Sequence, residues 1–299
     1  MTLVLDQVVK KFGDFQAVGG LSLEIPDKEM FGLLGANGAG KTTTFRMILD
    51  LLKPTSGRIL WDGQPLGYEK SHLIGYLPEE RGLYPKLKVR EQMIYLGKLR
   101  GMEKGEVLTA LEKWLDRFGV PAYIDKKVED LSKGNQQKIQ FIAAVIHKPK
   151  LLILDEPFSG LDPVNVELLK SAVKELKASG VSILFSSHRM DHVEELCENL
   201  CIMHKGRPLV AGTLTDVKRS YGKKNVIVRG DFDMGDLVDI RGVVKGEAIP
   251  GGMRLQVADE AISQDIFDRI KNRGFVRSFQ LEEPSLQEIF IEKVGGLNE

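Results

Sequence analysis

The chain has 299 residues, 42% hydrophobic and 28% charged, which excludes disordered and fibrous classes and suits one large domain with a smaller companion. Lys plus Arg and Asp plus Glu both total 42, so no global field points to nucleic acid or an acidic membrane surface, and no nucleic-acid partner is expected. The two cysteines, Cys197 and Cys201, have no second pair to complete a zinc site and read as reduced thiols.

The first thirty residues alternate apolar and polar, with turns at Gly13-Asp14 and Pro26-Asp27, and read as short antiparallel strands, one of them over 21–25. A buried strand over 30–34 runs into a glycine-rich turn and then a helix over 41–52 that stops before Pro54. Residues 85–148 are helical in pattern, with helices over 89–99, 104–118 and 135–147. Beyond this insert, βα alternation resumes: a strand over 151–154, a helix over 163–178, a strand over 181–185 and a helix around 190–198. Such alternation implies a parallel sheet covered by helices.

A strand pair over 200–210 turns at Lys205-Gly206, and the polar stretch 219–224 reads as a linker. Strands near 226–229, 254–257 and 275–280, with helices over 261–271 and 285–293, predict a small α+β domain. The predicted domains are therefore 1–220, with a helical subdomain at about 85–148, and 221–299. The longest apolar runs, 151–154 and 141–146, fall far short of the roughly 20 residues a membrane-spanning helix needs. No signal-peptide pattern opens the chain. A cytoplasmic location is expected, at the inner face of the membrane only if a partner holds the chain there.

Gly35-Ala36-Asn37-Gly38-Ala39-Gly40-Lys41-Thr42 matches the phosphate-loop pattern G-x-x-x-x-G-K-[ST], placed between strand and helix. Its glycines let successive N–H groups face a phosphate, and the helix start adds partial positive charge. Lys41 would reach the β and γ phosphates of ATP, and Thr42, with Thr43 beside it, would place a hydroxyl on Mg²⁺. The strand over 151–154 ends in Asp155-Glu156. Asp155 would hold the magnesium ion through water, and Glu156 would polarise the water that attacks the γ phosphate. These acids could instead simply cap the next helix.

Leu131-Ser132-Lys133-Gly134-Asn135-Gln136-Gln137 resembles the Leu-Ser-Gly-Gly-Gln signature of ATP-binding-cassette transporter subunits. Ser159-Gly160-Leu161-Asp162 is similar to that family's D-loop, and Ser186-Ser187-His188 to its switch histidine. The resemblance covers about residues 1–215. It implies an α/β phosphate-loop NTPase core, a mixed sheet flanked by helices, with a helical subdomain. It also implies that two subunits, here two copies of one chain, close head to tail over ATP and drive separate membrane permease subunits.

By the same resemblance, Ser132, Gly134, Asn135 and Asp162 would contact the partner's nucleotide, His188 would bond the γ phosphate, and Phe12 would stack on adenine, with Phe15 as fallback. Glu79 aligns with a glutamine that serves catalysis and magnesium, and Lys133 and Asn135 stand where the signature has Gly and Gln. The tail, ending in Pro284-Ser285-Leu286-Gln287-Glu288-Ile289-Phe290, resembles the accessory domain of export-type subunits. A soluble cassette ATPase acting on ribosomes is the alternative. A metal site at His188, His192, Glu194 and Glu195 is a competing reading of the histidine pair.

Overall fold

The computed structural model describes residues 2–80 and 82–295. The chain divides into two compact units between Gly212 and Thr213.

Two sheets build the first unit. Strands β1 (Leu3–Phe12), β2 (Phe15–Ile25), β4 (Ser56–Trp61) and β5 (Gln64–Pro65) pair antiparallel in the order β2-β1-β4-β5. The second sheet takes β3 (Met30–Leu34), β6 (Ile74–Leu77), β7 (Leu151–Asp155), β8 (Ser182–Ser187), β9 (Asn199–His204) and β10 (Arg207–Thr213) in the order β10-β9-β3-β8-β7-β6. Its strands β6, β7, β8, β3 and β9 are parallel. Parallel register sets Asp155 against Ser186 and Leu34 against Ser187, so the chemistry-bearing ends of β3, β7 and β8 emerge side by side.

Helix α1 (Lys41–Ile48) lies between the sheets. Its Phe45, Met47 and Ile48 share one core with Leu3, Leu5, Val18, Leu21 and Leu23 of the antiparallel sheet and with Leu33, Ile153 and Leu184 of the parallel one. Burying side chains of this size contributes about 1.5–3 kcal/mol each, which fixes the helix start under the phosphate loop. On the other face, α6 (Met190–Leu196) rides so close that a Cβ on Gly32 would sit 2.5 Å from Val193 Cγ1. Both cysteines are buried and unbridged, and burial pushes the Cys201 thiol up to about 12.

The insert comprises α2 (Val89–Leu99), α3 (Lys104–Arg117) and α4 (Lys133–Val145). Phe141 of α4 meets Trp114 and Phe118 edge-on at 5.7 and 5.9 Å, an aromatic cluster internal to the insert. Helix α5 (Pro163–Ala178) follows β7, with proline in its first turn as its preset φ favours.

The second unit opens on α7 (Leu214–Tyr221), where a linker over 219–224 is predicted from sequence. Thr213 caps this short helix through Asp216 N, and Gly222 ends it at φ 73°. The helix is mostly polar and buries only Val217, but Leu214, Val217 and Tyr221 share one face at helical spacing, and the polar stretch 219–224 overlaps its last turn. The unit therefore begins at Thr213, ahead of the predicted boundary at 220. Strands β11 (Lys224–Gly230), β12 (Val243–Ile249), β13 (Gly252–Val257) and β14 (Val276–Glu282) form an antiparallel sheet in the order β12-β13-β11-β14. With α8 (Ile262–Ile270) and α9 (Leu286–Gly295) this is an α+β unit, whose separate core contains Val226, Val228, Leu255, Ile266 and Ile270. Helix α1 ends at Ile48 rather than 52, because Asp50 turns to φ 58°.

His147, just beyond α4, donates from Nε2 to Ile74 O at 3.2 Å while its Nδ1 is buried without a partner. Burial, helped by the Arg100 charge, holds its pKa down at about 4. A histidine depressed on folding makes the unfolded chain bind more protons between about 4 and 6.5, so stability is lost as pH falls through that window. His147→Gln should remove this dependence. Between pH 7 and pH 5 the parent should lose on the order of 1–2 kcal/mol more than the variant, read as a larger fall in thermal midpoint.

Candidate functional site

A cavity of about 250 Å³ opens at the end of β3, lined by Asn37, Gly38, Ala39, Gly40, Lys41, Thr42 and Thr43 together with Phe15, Ala17, Glu79, Asp155 and Glu156. The loop can take this shape because of its glycines. Gly38 and Gly40 adopt φ 80° and 103°, in the left-handed region, and a Cβ on Gly40 would lie 2.6 Å from Ala17 O. This leaves a main-chain cradle at the start of α1, suited to an anion.

Lys41 is 6% exposed, and its ammonium donates to Gly35 O at 2.7 Å and to Ala36 O at 3.4 Å. Its Nζ also lies 3.7 Å from Glu156 Oε1. A positive group is thus held at the mouth of the cradle by the loop's own carbonyls.

Asp155, 1% exposed, accepts from Thr42 Oγ1 at 2.8 Å and from Ser186 Oγ at 2.5 Å. Glu156 is 6% exposed and sits at φ 49°, a left-handed conformation that costs a non-glycine residue about 1 kcal/mol or more. Its amide donates to Ser186, and its Oε2 lies 2.9 Å from His188 Nδ1 and 3.5 Å from Ser187 Oγ. Its Oε1 is buried with no hydrogen-bond partner. One carboxylate oxygen is therefore anchored by His188 and Ser187, and the other, buried and without a hydrogen bond, faces the Lys41 ammonium.

The cavity gathers most of the residues expected from sequence, but not all. Phe12 is not on its wall. It lies at the hairpin tip, half-exposed, with Lys10 Nζ 5.2 Å from its ring centroid. Phe15, across the turn in register with Phe12, lines the cavity instead and is 66% exposed. The fallback Phe15, rather than Phe12, is thus the aromatic ring on this wall.

Ser132, Gly134, Asn135 and Asp162 also lie off this cavity and form a second constellation. Ser132 caps α4, and Asp162 caps α5 by accepting from Asn165 N at 3.0 Å. The Asn165 bonds hold the Asp162 carboxyl below its usual range. Gly134 lies beside Asn165 and Leu161, which joins the two helix starts.

Sequence patterns do not reveal what links the two constellations. From α4, Gln137 Nε2 donates to Pro157 O at 3.0 Å, just past the Asp-Glu pair. Gln140 Nε2 donates to Pro78 O at 3.1 Å and Glu80 O at 3.0 Å, the carbonyls on either side of Glu79. Ser186 is a second unanticipated contributor, and its signal was its register opposite Asp155.

The histidine pair separates. His188 faces Glu156, whereas His192 is buried in α6 with its ring 5.0 Å from Phe158. Among the described residues no group of three or more His, Cys, Asp or Glu side chains is arranged to hold a metal ion. The donors at Thr42 and Asp155 are hard oxygens, which suit magnesium completed by phosphate oxygens and water rather than an all-protein cage.

The family model described as ABC transporter matches residues 18–159, and one described as ATP-binding protein DrrA1-3-like, C-terminal domain, matches residues 212–294. A Bacillus subtilis (strain 168) protein named as the uncharacterized ABC transporter ATP-binding protein YhaQ is 64% identical over 99% of this chain and 100% of its own. The linearmycin resistance ATP-binding protein LnrL of the same organism is 31% identical over 98% of each chain. A solved structure of an ATP-binding subunit of an ABC transporter, 32% identical, superposes with a TM-score of 0.70 over 74% of this chain and 94% of that one. The phosphate cradle, the paired acids and the capped signature helix thus occur in a chain that belongs to the ABC transporter family, as an ATP-binding subunit that hydrolyses ATP.

Proposed function

We propose that this subunit pairs with a second copy of itself, closes over two ATP molecules, and uses closure and reopening to drive a separate membrane permease in the export direction. The observation that carries the reading is the separation of the two constellations. The cavity around Lys41 lacks Ser132, Asn135 and Asp162, while the capped start of α4 has no phosphate cradle of its own. Two incomplete halves on one chain are each completed by the other half of a facing copy.

Within this reading Lys41 compensates charge at the β and γ phosphates and the loop amides hold them in place. Glu156 takes the proton of the attacking water on Oε1, which makes no hydrogen bond and is released from Lys41 as that ammonium turns to the phosphates, and His188 steadies the other oxygen and faces the γ phosphate. Thr42 and Asp155 would hold Mg²⁺, with Glu79 on the same wall, and the bound ion would neutralise developing phosphate charge. Phe15 stacks on the adenine ring.

No helix among the described residues is long and apolar enough to cross a membrane. A groove of about 390 Å³, lined in part by Leu49, Leu51, Leu83, Leu96 and Leu99, suits a permease segment. Leu51 and Leu99 are exposed apolar side chains there, and Pro78 and Gln140 connect the groove to Glu79. Docking at this groove would hold the subunit at the inner face of the membrane. The likeness to a linearmycin resistance ATP-binding protein supports export.

Lys41→Ala should abolish tight ATP binding, because the main-chain cradle remains but its charge compensation is lost. Titration with a fluorescent ATP analogue checks this. Glu156→Gln should cut hydrolysis by roughly 10² to 10⁴ while binding survives. The ATP-bound variant should elute as a dimer on size exclusion where the parent with ADP elutes as a monomer. A variant that hydrolyses normally would remove Glu156 from catalysis. Phe15→Ala should weaken ATP binding by about 1–3 kcal/mol and Phe12→Ala should leave it unchanged, and the reverse order would return the adenine contact to Phe12.

A further inference from the structure

We propose that Asn135 and Tyr123 are positioning residues that direct the hydroxyl proton of Ser132 outward, towards the nucleotide held by a facing copy; the inference rests on the paired reading above. Ser132 is the N-cap of α4, and its Oγ is approached by two donors from one residue, Asn135 N at 3.4 Å and Asn135 Nδ2 at 3.0 Å. The second hydrogen of that amide is held by Tyr123, whose hydroxyl oxygen lies 3.0 Å from Nδ2. A serine hydroxyl offers one donor and two acceptor positions. Both acceptor positions face Asn135, so what remains to offer a ligand is the proton.

The surroundings favour an anion as its acceptor. The first turn of α4 carries no acidic residue and begins with Lys133, and its free amides contribute the positive end of the helix. Tyr123 ends a short turn, Pro121–Tyr123, and is itself held by Lys126, whose ammonium lies 4.7 Å from the ring centroid. The chain Lys126, Tyr123, Asn135, Ser132 therefore runs from a fixed ring to the hydroxyl, and each amide hydrogen of Asn135 is used.

This arrangement also gives asparagine, in place of the signature's glutamine, a geometric reason. The short side chain turns back onto the cap of its own helix. One more methylene would carry the amide beyond Ser132 or beyond Tyr123. Restoring glutamine at this position should lower function.

The test uses full-length protein carrying Glu156→Gln, and reads the ATP concentration that gives half-maximal dimer by analytical ultracentrifugation. Asn135→Asp is isosteric and acceptable in a first helical turn, so its thermal midpoint should be unchanged or raised. Its carboxylate accepts instead of donating and turns the Ser132 proton inward. The ATP requirement for dimerisation should rise tenfold or more, while ATP affinity of the single subunit, set by Lys41 and the loop, stays the same. Tyr123→Phe and Asn135→Gln add no charge and should each raise the requirement about threefold or more, which separates proton orientation from repulsion.

With Glu156 restored, the same variants should raise KM for ATP more than they lower kcat. If all three dimerise at the parent's ATP concentration, the inference is overturned while the paired reading stands. If the Glu156→Gln parent forms no dimer at saturating ATP, the paired reading fails and takes this inference with it.

Discussion

A single buried carboxylate organises the catalytic end of this molecule. Asp155 is removed from water at the end of a central strand, a placement that costs several kcal/mol unless its oxygens are bonded. Two hydroxyls meet that demand, Thr42 from the start of α1 and Ser186 from the end of β8. Satisfying the acid therefore ties the phosphate loop, the strand bearing Glu156 and the strand leading to His188 at one point. Removing either hydroxyl would leave an acceptor with nothing to hold and loosen three elements together. The same oxygens offer a hard, charged contact to a cation bridging to phosphate.

Helix α4 spreads that local order outward. Its N-cap presents Ser132, while further along its buried face Gln137 and Gln140 grip the main chain after the acid pair and around Glu79. Amide bonds to main-chain carbonyls do not depend on the side chains of the loops they hold. A displacement of the insert would carry both loops or break these bonds, so the apolar groove beside Gln140 is mechanically connected to the wall of the nucleotide cavity. Glu79 departs from the family's glutamine, yet its flanking carbonyls are fixed from this helix.

Much of the cassette was legible because its chemistry is compressed into contiguous strings. The phosphate loop from Gly35 to Thr42, the Asp155-Glu156 pair and the apolar strands around them each declare themselves locally, and the elements over 30–34, 89–99 and 163–178 lie where periodicity puts them. What was not legible depends on register or on polar helices. Ser186 matters only because parallel pairing sets it opposite Asp155. Gln140 is one glutamine among several until the fold carries it to Pro78 and Glu80. The choice between Phe12 and Phe15 turns on which side of a hairpin faces the loop, and strand alternation cannot settle that at a turn. Helix α7 is only eight residues long, and its face of Leu214, Val217 and Tyr221 is too short to stand out from the polar stretch that follows it, so the second unit starts at Thr213 without a clear local signal.

Glu156 combines its chemistry with a backbone that resists it. At φ 49° the position favours glycine or asparagine, and an L side chain as long as glutamate is retained against that preference. Random change that relaxes the turn would thus be rewarded in durability and penalised in turnover. On the proposed pairing and the proposed role of Glu156, such a subunit would fold well, bind ATP and occupy its place in a pair without completing a cycle. In a cell holding both forms, mixed pairs would outnumber intact ones as the sturdy form accumulates. Strain at one dihedral angle would then surface as dominance, a genetic property of a heterogeneous population of subunits.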